Sequence, residues 1–206
     1  MSTPDRSPLE FYFDFLSPFG YFASLRVDAL AARHRREIVW KPMLLGISVL
    51  KVMKLQPILD TPLKGSYIRQ EATRYMRRHR LTLRRELKTP TMNPLPVARL
   101  FAWLSVHAHP YAKPFAKAAY HAYWQEEMDI CTPETLAPLA RTIGLPENVF
   151  AEAIADPQAS QLLRRAIDAG LELGVFGSPF FRIDGEPFFG CDKLELIDDW
   201  LTQDGW

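Results

Sequence analysis

Three short stretches of this 206-residue chain combine side chains and backbone in ways that could do chemistry. The first is Ser17-Pro18-Phe19-Gly20, which puts a hydroxyl where an aromatic run gives way to a helical pattern. A serine there can cap the helix, and the free N–H groups behind it favour an anion such as a thiolate supplied by a ligand. Ser followed by Pro is also an ordinary cap with proline at the first helical position, and the local sequence by itself says no more. The second is Gly174 to Phe181 (GVFGSPFF), in which Pro179 opens a strand. A cis Ser178-Pro179 bond would turn the neighbouring backbone groups out of the sheet toward the Ser17 loop, where a peptide ligand could pair with them; a trans bond is the commoner arrangement. The third is Gly190-Cys191-Asp192-Lys193, where Asp192 can cap a last helix and adjacent N–H groups can receive a carboxylate. No metal site is expected: His107 and His109 diverge on a helix, and Cys131 and Cys191 have no ligand-like spacing.

The elements that must hold these groups follow from periodicity. Leu9 to Phe15 (LEFYFDF) is short, aromatic and largely apolar, and reads as a buried strand in which Asp14 stands out. Phe19, Phe22, Ala23, Val27, Leu30, Ala31 and His34 recur at steps of three and four, which predicts one helix to about Arg35; Glu37 to Lys41 (EIVWK) offers a second strand. Strand, helix, strand is the pattern of a βαβ unit. From Pro42 to about Leu173 there is no strand pattern, but Asn93-Pro94, Thr132-Pro133 and Asp156-Pro157 each set a capping side chain before proline. Helices are expected at about 46–55, 64–80, 95–108, 111–128, 133–143, 147–155 and 157–171. Phe180 to Ile183 is strand-like, Asp184-Gly185 is a hairpin turn, Pro187 to Phe189 returns, and a final helix follows from about Asp192. The outline is an α/β, thioredoxin-like mixed sheet interrupted by a large all-helical insertion. Residues 1–42 and 174–206 would form the sheet domain and 43–173 the helical one. In this fold a redox enzyme carries Cys-x-x-Cys at the Ser17 junction; without a dithiol the loop cannot run thiol–disulfide exchange.

Composition narrows the partners. Lysine plus arginine (25) against aspartate plus glutamate (24) leaves a net +1, so neither nucleic acid nor a membrane surface is expected. With 48% hydrophobic residues the chain can bury a core, which excludes disorder. Met1 to Pro8 has no apolar run after a basic start, no stretch approaches about 18 apolar residues, and the two cysteines form no disulfide framework. A soluble, cytoplasmic protein is expected. Charge is uneven all the same. From Lys64 to Lys88 nine basic residues face Glu71 and Glu86, while from Asp184 onward seven acids face Lys193. This is either a solvated basic helix balanced by an acidic one or a cleft wall that attracts a carboxylate-bearing small molecule. Trp40, Trp103 and Trp124 are expected in the core.

Together and in this order, FYFDFLSPFGYFAS, TPLKGSY and GVFGSPFFRIDGEPFFGCDKL resemble the 2-hydroxychromene-2-carboxylate isomerases, relatives of the kappa-class glutathione transferases. The resemblance spans nearly the whole chain and is most specific in its two end motifs. It implies that Ser17 is catalytic as well as a cap, orienting and activating the thiol of glutathione, and that the Ser178-Pro179 bond is cis; the strand-to-helix position of Ser17 and the strand-opening place of Pro179 predict that the two face each other across a cleft large enough for a tripeptide. It implies that Lys64, Ser178 and Pro179 hold glutathione and that Gly190, Cys191, Asp192 and Lys193 bind its γ-glutamyl end. Lys41 and Asn93 match places that contact the aromatic substrate. Cys191 stands where asparagine is usual, and Ser178 where valine is. The implied activity is isomerisation of a small aromatic carboxylate by reversible thiolate addition, with glutathione regenerated as a cofactor. A kappa-like transferase that releases a conjugate and a thioredoxin-fold binding module without chemistry stay open beside it, as does a homodimer.

Overall fold

A computed structural model describes residues 7–206; the first six residues of the expected sheet domain lie outside the described residues. The sheet has four strands, β1 (Leu9–Phe13), β2 (Ile38–Pro42), β3 (Phe180–Ile183) and β4 (Glu186–Phe189), in the order β2-β1-β3-β4. β1 runs parallel to β2 with Phe11 opposite Trp40, and antiparallel to β3 with Phe11 opposite Phe181. This is the expected mixed, thioredoxin-like sheet. Asp184 and Gly185 both take positive φ, 53° and 93°, as the tight turn between β3 and β4 requires.

Successive side chains of a strand point to opposite faces, and here both faces are apolar over β1. Phe11 and Phe13 face one way, where Phe11 stacks on Phe181 at 5.4 Å and Phe13 meets Phe101 and Tyr120 of the helical block at 5.0 and 5.7 Å. Tyr12 faces the other way, in a smaller cluster with Met43, Val175 and Phe180. Each such ring removed from water contributes roughly 1.5–3 kcal/mol, so the aromatics of β1, an interior strand, anchor the sheet to the layers on both of its faces. Trp40, Trp103 and Trp124 are buried, as expected.

Between β2 and β3 the assigned elements are all helical: a π-helical segment (Gly46–Val52), a 3-10 turn (Ile58–Asp60), α3 (Lys64–His79), α4 (Leu95–His107), α5 (His109–Gln125), α6 (Pro133–Thr142), α7 (Glu147–Ala155) and α8 (Gln158–Glu172). One of the three expected caps is made, at Thr132; α4 and α8 begin one residue later than the expected caps would place them, with Pro94 and Pro157 at the cap, and Asn93 and Asp156 close a turn just before them. Thr132 takes the N–H of Thr135, Asn93 that of Leu95, and Asp156 that of Gln158. No helix among the described residues is long and apolar enough to cross a membrane.

Two further expectations are corrected. The single helix from Phe19 to Arg35 is two, α1 (Pro18–Ser24) and α2 (Val27–Arg33). The break falls at Arg26, which leaves helical backbone geometry at φ −123° while its guanidinium bonds the Tyr75 hydroxyl and Glu195, both at 2.8 Å. Asp192 does not cap the last helix. It lies inside a 3-10 turn (Cys191–Lys193) that precedes α9 (Leu194–Gln203), and its carboxylate accepts from Lys193 at 2.8 Å instead.

Candidate active site

β1 ends at Phe13, and the next residues form a tight turn. The Ser17 N–H bonds the Asp14 carbonyl at 3.0 Å, and the Leu16 N–H bonds the Asp14 carboxylate at 2.8 Å. Proline at 18 has the fixed φ that starts a helix, so the chain enters α1 with Ser17 at its cap, in extended geometry. The Ser17 hydroxyl then accepts from the Gly20 N–H at 3.0 Å and donates to the Ser178 carbonyl at 2.8 Å. The Ser178-Pro179 peptide is cis. The expected pairing of these loops is therefore present, but not as two walls of a cleft: Ser17 and Ser178 touch directly and are only 3% and 8% exposed.

Beneath this contact lies a buried polar cluster. The Asp14 N–H donates to the Ser178 hydroxyl at 3.0 Å, and the Tyr120 hydroxyl, brought in by α5, donates to the Asp14 carbonyl at 2.9 Å. Gly20 makes the close approach possible, since a Cβ there would come within 2.7 Å of both the Ser178 Oγ and the Tyr120 hydroxyl. The Asp14 carboxylate also accepts from the Leu45 N–H at 2.7 Å. Burial pushes the Asp14 carboxyl up to about 6, against the two N–H groups that favour its ionised form. Burial also lifts the Tyr120 hydroxyl well above its ordinary value, and the Asp14 charge adds to the shift.

The other expected residues divide. The Gly190 N–H bonds the Pro179 carbonyl at 3.1 Å, which joins the start of the Gly190–Lys193 stretch to the cis loop. Cys191 is buried, its thiol pushed up to about 12 chiefly by that burial and then by Asp192, so it stays protonated at neutral pH. Its carbonyl accepts from the Tyr75 hydroxyl at 3.3 Å. Lys64 is exposed as the first residue of α3. It follows a three-residue turn in which its own N–H bonds the Pro62 carbonyl at 2.8 Å and Leu63 takes a φ of 65°. Lys41 lies on the Tyr12 face of the sheet, where its ammonium pairs with Glu10 and sits 5.5 Å from the Tyr12 ring. Asn93 is exposed, and its side-chain oxygen accepts from the Leu95 N–H at 3.1 Å just before α4. Ser17, Ser178, Pro179 and Gly190 thus come together, while Lys41 and Asn93 make their contacts elsewhere. An open cavity of about 320 Å³ lies apart from these loops, between α2 and α9, where Arg26, Arg33, Glu195 and Asp198 line it and pair with one another.

Asp14, Gly20 and Tyr120 join the site without a role assigned to them by the sequence. Asp14 had a signal, a carboxylate in an aromatic run three residues before Ser17; Tyr120 had none, being one aromatic among many on an apolar helix face.

The fold and the serine-for-cysteine junction now define a class: the chain belongs to the DSBA-like thioredoxin domain family, whose pattern matches residues 8–202. Within that class it is similar to the 2-hydroxychromene-2-carboxylate isomerase of Sphingobium xenophagum, 26% identical over 94% of this chain and 97% of that one. It is also similar to the "Glutathione s-transferase kappa 2" of Caenorhabditis elegans, 20% identical over 97% of this chain and 94% of that one. A solved structure of a 2-hydroxychromene-2-carboxylate isomerase shares the fold, with a TM-score of 0.77 over 95% of this chain and 94% of that one at 22% identity.

Proposed function

We propose that the chain is a glutathione-dependent isomerase of small aromatic carboxylates of the 2-hydroxychromene-2-carboxylate type, working in the reducing cytoplasm that its two free cysteines suit. The observation that carries this reading is the Ser17 hydroxyl, held between the Gly20 N–H and the carbonyl of a cis peptide in the loop where redox chemistry would require thiols. A hydroxyl there cannot exchange disulfides. It can give one hydrogen bond to an anion, and the names of the Sphingobium and Caenorhabditis relatives supply the isomerisation and the glutathione.

The donor set suits a tripeptide with a thiol and two carboxylates. Ser17 has a proton for the thiolate, the Ser178 carbonyl can accept a peptide N–H, Lys64 is an exposed ammonium, and Asp192 with Lys193 offers one charge of each sign to the γ-glutamyl end. When bound, glutathione supplies a thiolate that adds reversibly to the conjugated system of the substrate. Ser17 has one proton, and the Ser178 carbonyl holds it. To serve a thiolate the O–H must rotate, and a peptide N–H of the ligand can take its place on that carbonyl, so no bond is lost. The Gly20 N–H holds the oxygen throughout, so only a hydrogen moves and the donor stays preorganised. Lys41 and Asn93 are proposed as substrate contacts; Lys41 has donors beyond the one given to Glu10, and the bond that the Asn93 oxygen accepts from Leu95 leaves its amide N–H₂ to donate.

The Caenorhabditis relative favours one second reading, a kappa-like transferase using the same thiolate site. The test is to incubate the protein with 2-hydroxychromene-2-carboxylate, with and without glutathione, recording ultraviolet absorbance and free thiol. A glutathione-dependent spectral change with thiol conserved is the expected result. Thiol consumed in step with product means a transferase, and no change together with no heat of glutathione binding leaves a silent binding module.

A further inference from the structure

Resting on the reading of Ser17 above, we propose that Asp14 is a positioning residue for Ser17: its ionised carboxylate ties the Ser17 turn to the chain leaving β2, and the hydroxyl keeps its place only while that tie is made. The carboxylate is 2% exposed and spans two segments of chain, accepting from Leu16 on one side and Leu45 on the other. Among the described residues no lysine, arginine or histidine pairs with it. The titratable groups that face it are Tyr120 and, further along α5, Tyr123; the hydroxyl of Ser178 lies on its main chain. Two N–H donors aimed at one side chain need a group that only accepts. Protonation leaves one of them facing a hydroxyl oxygen, a weaker acceptor than a carboxylate oxygen, and an amide turns its N–H₂ toward one of them.

The main chain of Asp14 is committed as well. Its N–H is given to the Ser178 hydroxyl, and its carbonyl takes both the Ser17 N–H and the Tyr120 hydroxyl. A shift of this residue therefore moves both members of the Ser17–Ser178 contact at once. Nothing in the cluster can compensate with a counter-charge, so the state of the carboxyl and the shape of the turn are linked. Because burial lifts that carboxyl to about 6, the link operates where the Ser17 hydroxyl itself does not titrate.

The test follows the backbone amides of Leu16, Leu45 and Gly20 by nuclear magnetic resonance in ¹⁵N-labelled protein, from about pH 4.5 to 8. Gly20 is the reporter, because its N–H bonds Ser17 and not Asp14. All three amides are expected to move together with one midpoint near 6, and the midpoint should vanish from all three in Asp14→Asn. Movement of Leu16 and Leu45 with Gly20 flat would overturn the proposal, since Asp14 would then brace the turn without reaching Ser17. The titration of the unaltered protein decides this even where the variant does not fold. Calorimetry with glutathione at both ends of the range adds a second readout, with about tenfold weaker binding expected below the midpoint. Equal affinity on both sides would count against the proposal. Absence of glutathione binding at every pH would instead remove the functional reading, while the Gly20 titration would still judge Asp14.

Discussion

A serine hydroxyl that accepts one hydrogen bond and gives its only proton to a carbonyl is, in the resting protein, a structural link as much as a reagent, and the two roles separate by magnitude. Ser17→Ala removes a cap and the donor to the buried Ser178 carbonyl, which together cost about 2 kcal/mol of stability. If the same hydroxyl steadies an anion, turnover should fall by about 100-fold or more. Parallel measurement of melting temperature and turnover tells them apart: activity falling only in step with melting would reduce Ser17 to its cap. Asp14 presents the converse case, a residue that costs stability at the pH where it is useful. Folding raises its carboxyl from 3.8 to about 6, so between those values the folded chain holds a proton that the unfolded chain has released. Stability then falls as pH rises through that window, by about 3 kcal/mol for this group at its upper end. Denaturant unfolding of the protein and of Asp14→Asn from pH 4 to 7 should show the curve of the unaltered protein descending relative to that of the variant. Parallel curves would mean that burial leaves Asp14 no harder to ionise than in the open chain.

At the scale of elements, the basic stretch from Lys64 to Lys88 resolves into groups with different tasks. Arg69 is spent on the Leu87 carbonyl, Arg74 on Glu71, and Arg85 on the Tyr123 carbonyl and Asp129. Much of the local excess of charge is thus internal bracing of α3 and the loop after it, rather than one continuous wall. Lys64 differs because of how α3 begins. The turn at Leu63 aims its first residue outward, and Gly65 lets the helix start press on the Leu59 carbonyl, where a Cβ would come within 2.2 Å. Lys64→Ala should weaken glutathione binding by roughly 1.5–3 kcal/mol, the range for a hydrogen bond to a charged group. Arg77→Ala, on the exposed side of the same helix, should change it by at most about 1 kcal/mol. Calorimetric titration of both variants at two salt concentrations is the check, and equal, strongly salt-dependent losses would mean a diffuse field in which Lys64 has no special part.

For the molecule as a whole, what the sequence made legible was whatever depends on near neighbours. Short apolar runs bounded by turn residues located the strands, helical periodicity located the insertion, and proline after a polar side chain located three helix starts to within a residue. Ser17 and Ser178-Pro179 were readable for the same reason, since a cap and a strand-opening proline are local chemistry. The break at Arg26 was not, because it goes with contacts to Tyr75 and Glu195, 49 and 169 residues away. Tyr120 was not, because its partner Asp14 lies 106 residues off, and a tyrosine on an apolar helix face looks the same whatever it touches. These long contacts also bear on how the chain comes apart. The division at 43 and 173 is one of topology: Phe13 packs on Phe101, the Trp124 indole donates to the Phe15 carbonyl at 3.1 Å, and one apolar core runs through the sheet and the helical block. Neither part can lose its fold without stripping an apolar face from the other, which at about 25 cal/mol per Å² is a large fraction of the stability of any domain. Amides of β1 and β3 are therefore expected to exchange with solvent at the same opening free energy as those in the middle of α4 and α5, and to do so at every denaturant concentration. A helical block that exchanged earlier, with the sheet still protected, would show that the insertion folds as a separate unit and that the Ser17 site can outlast the loss of Tyr120.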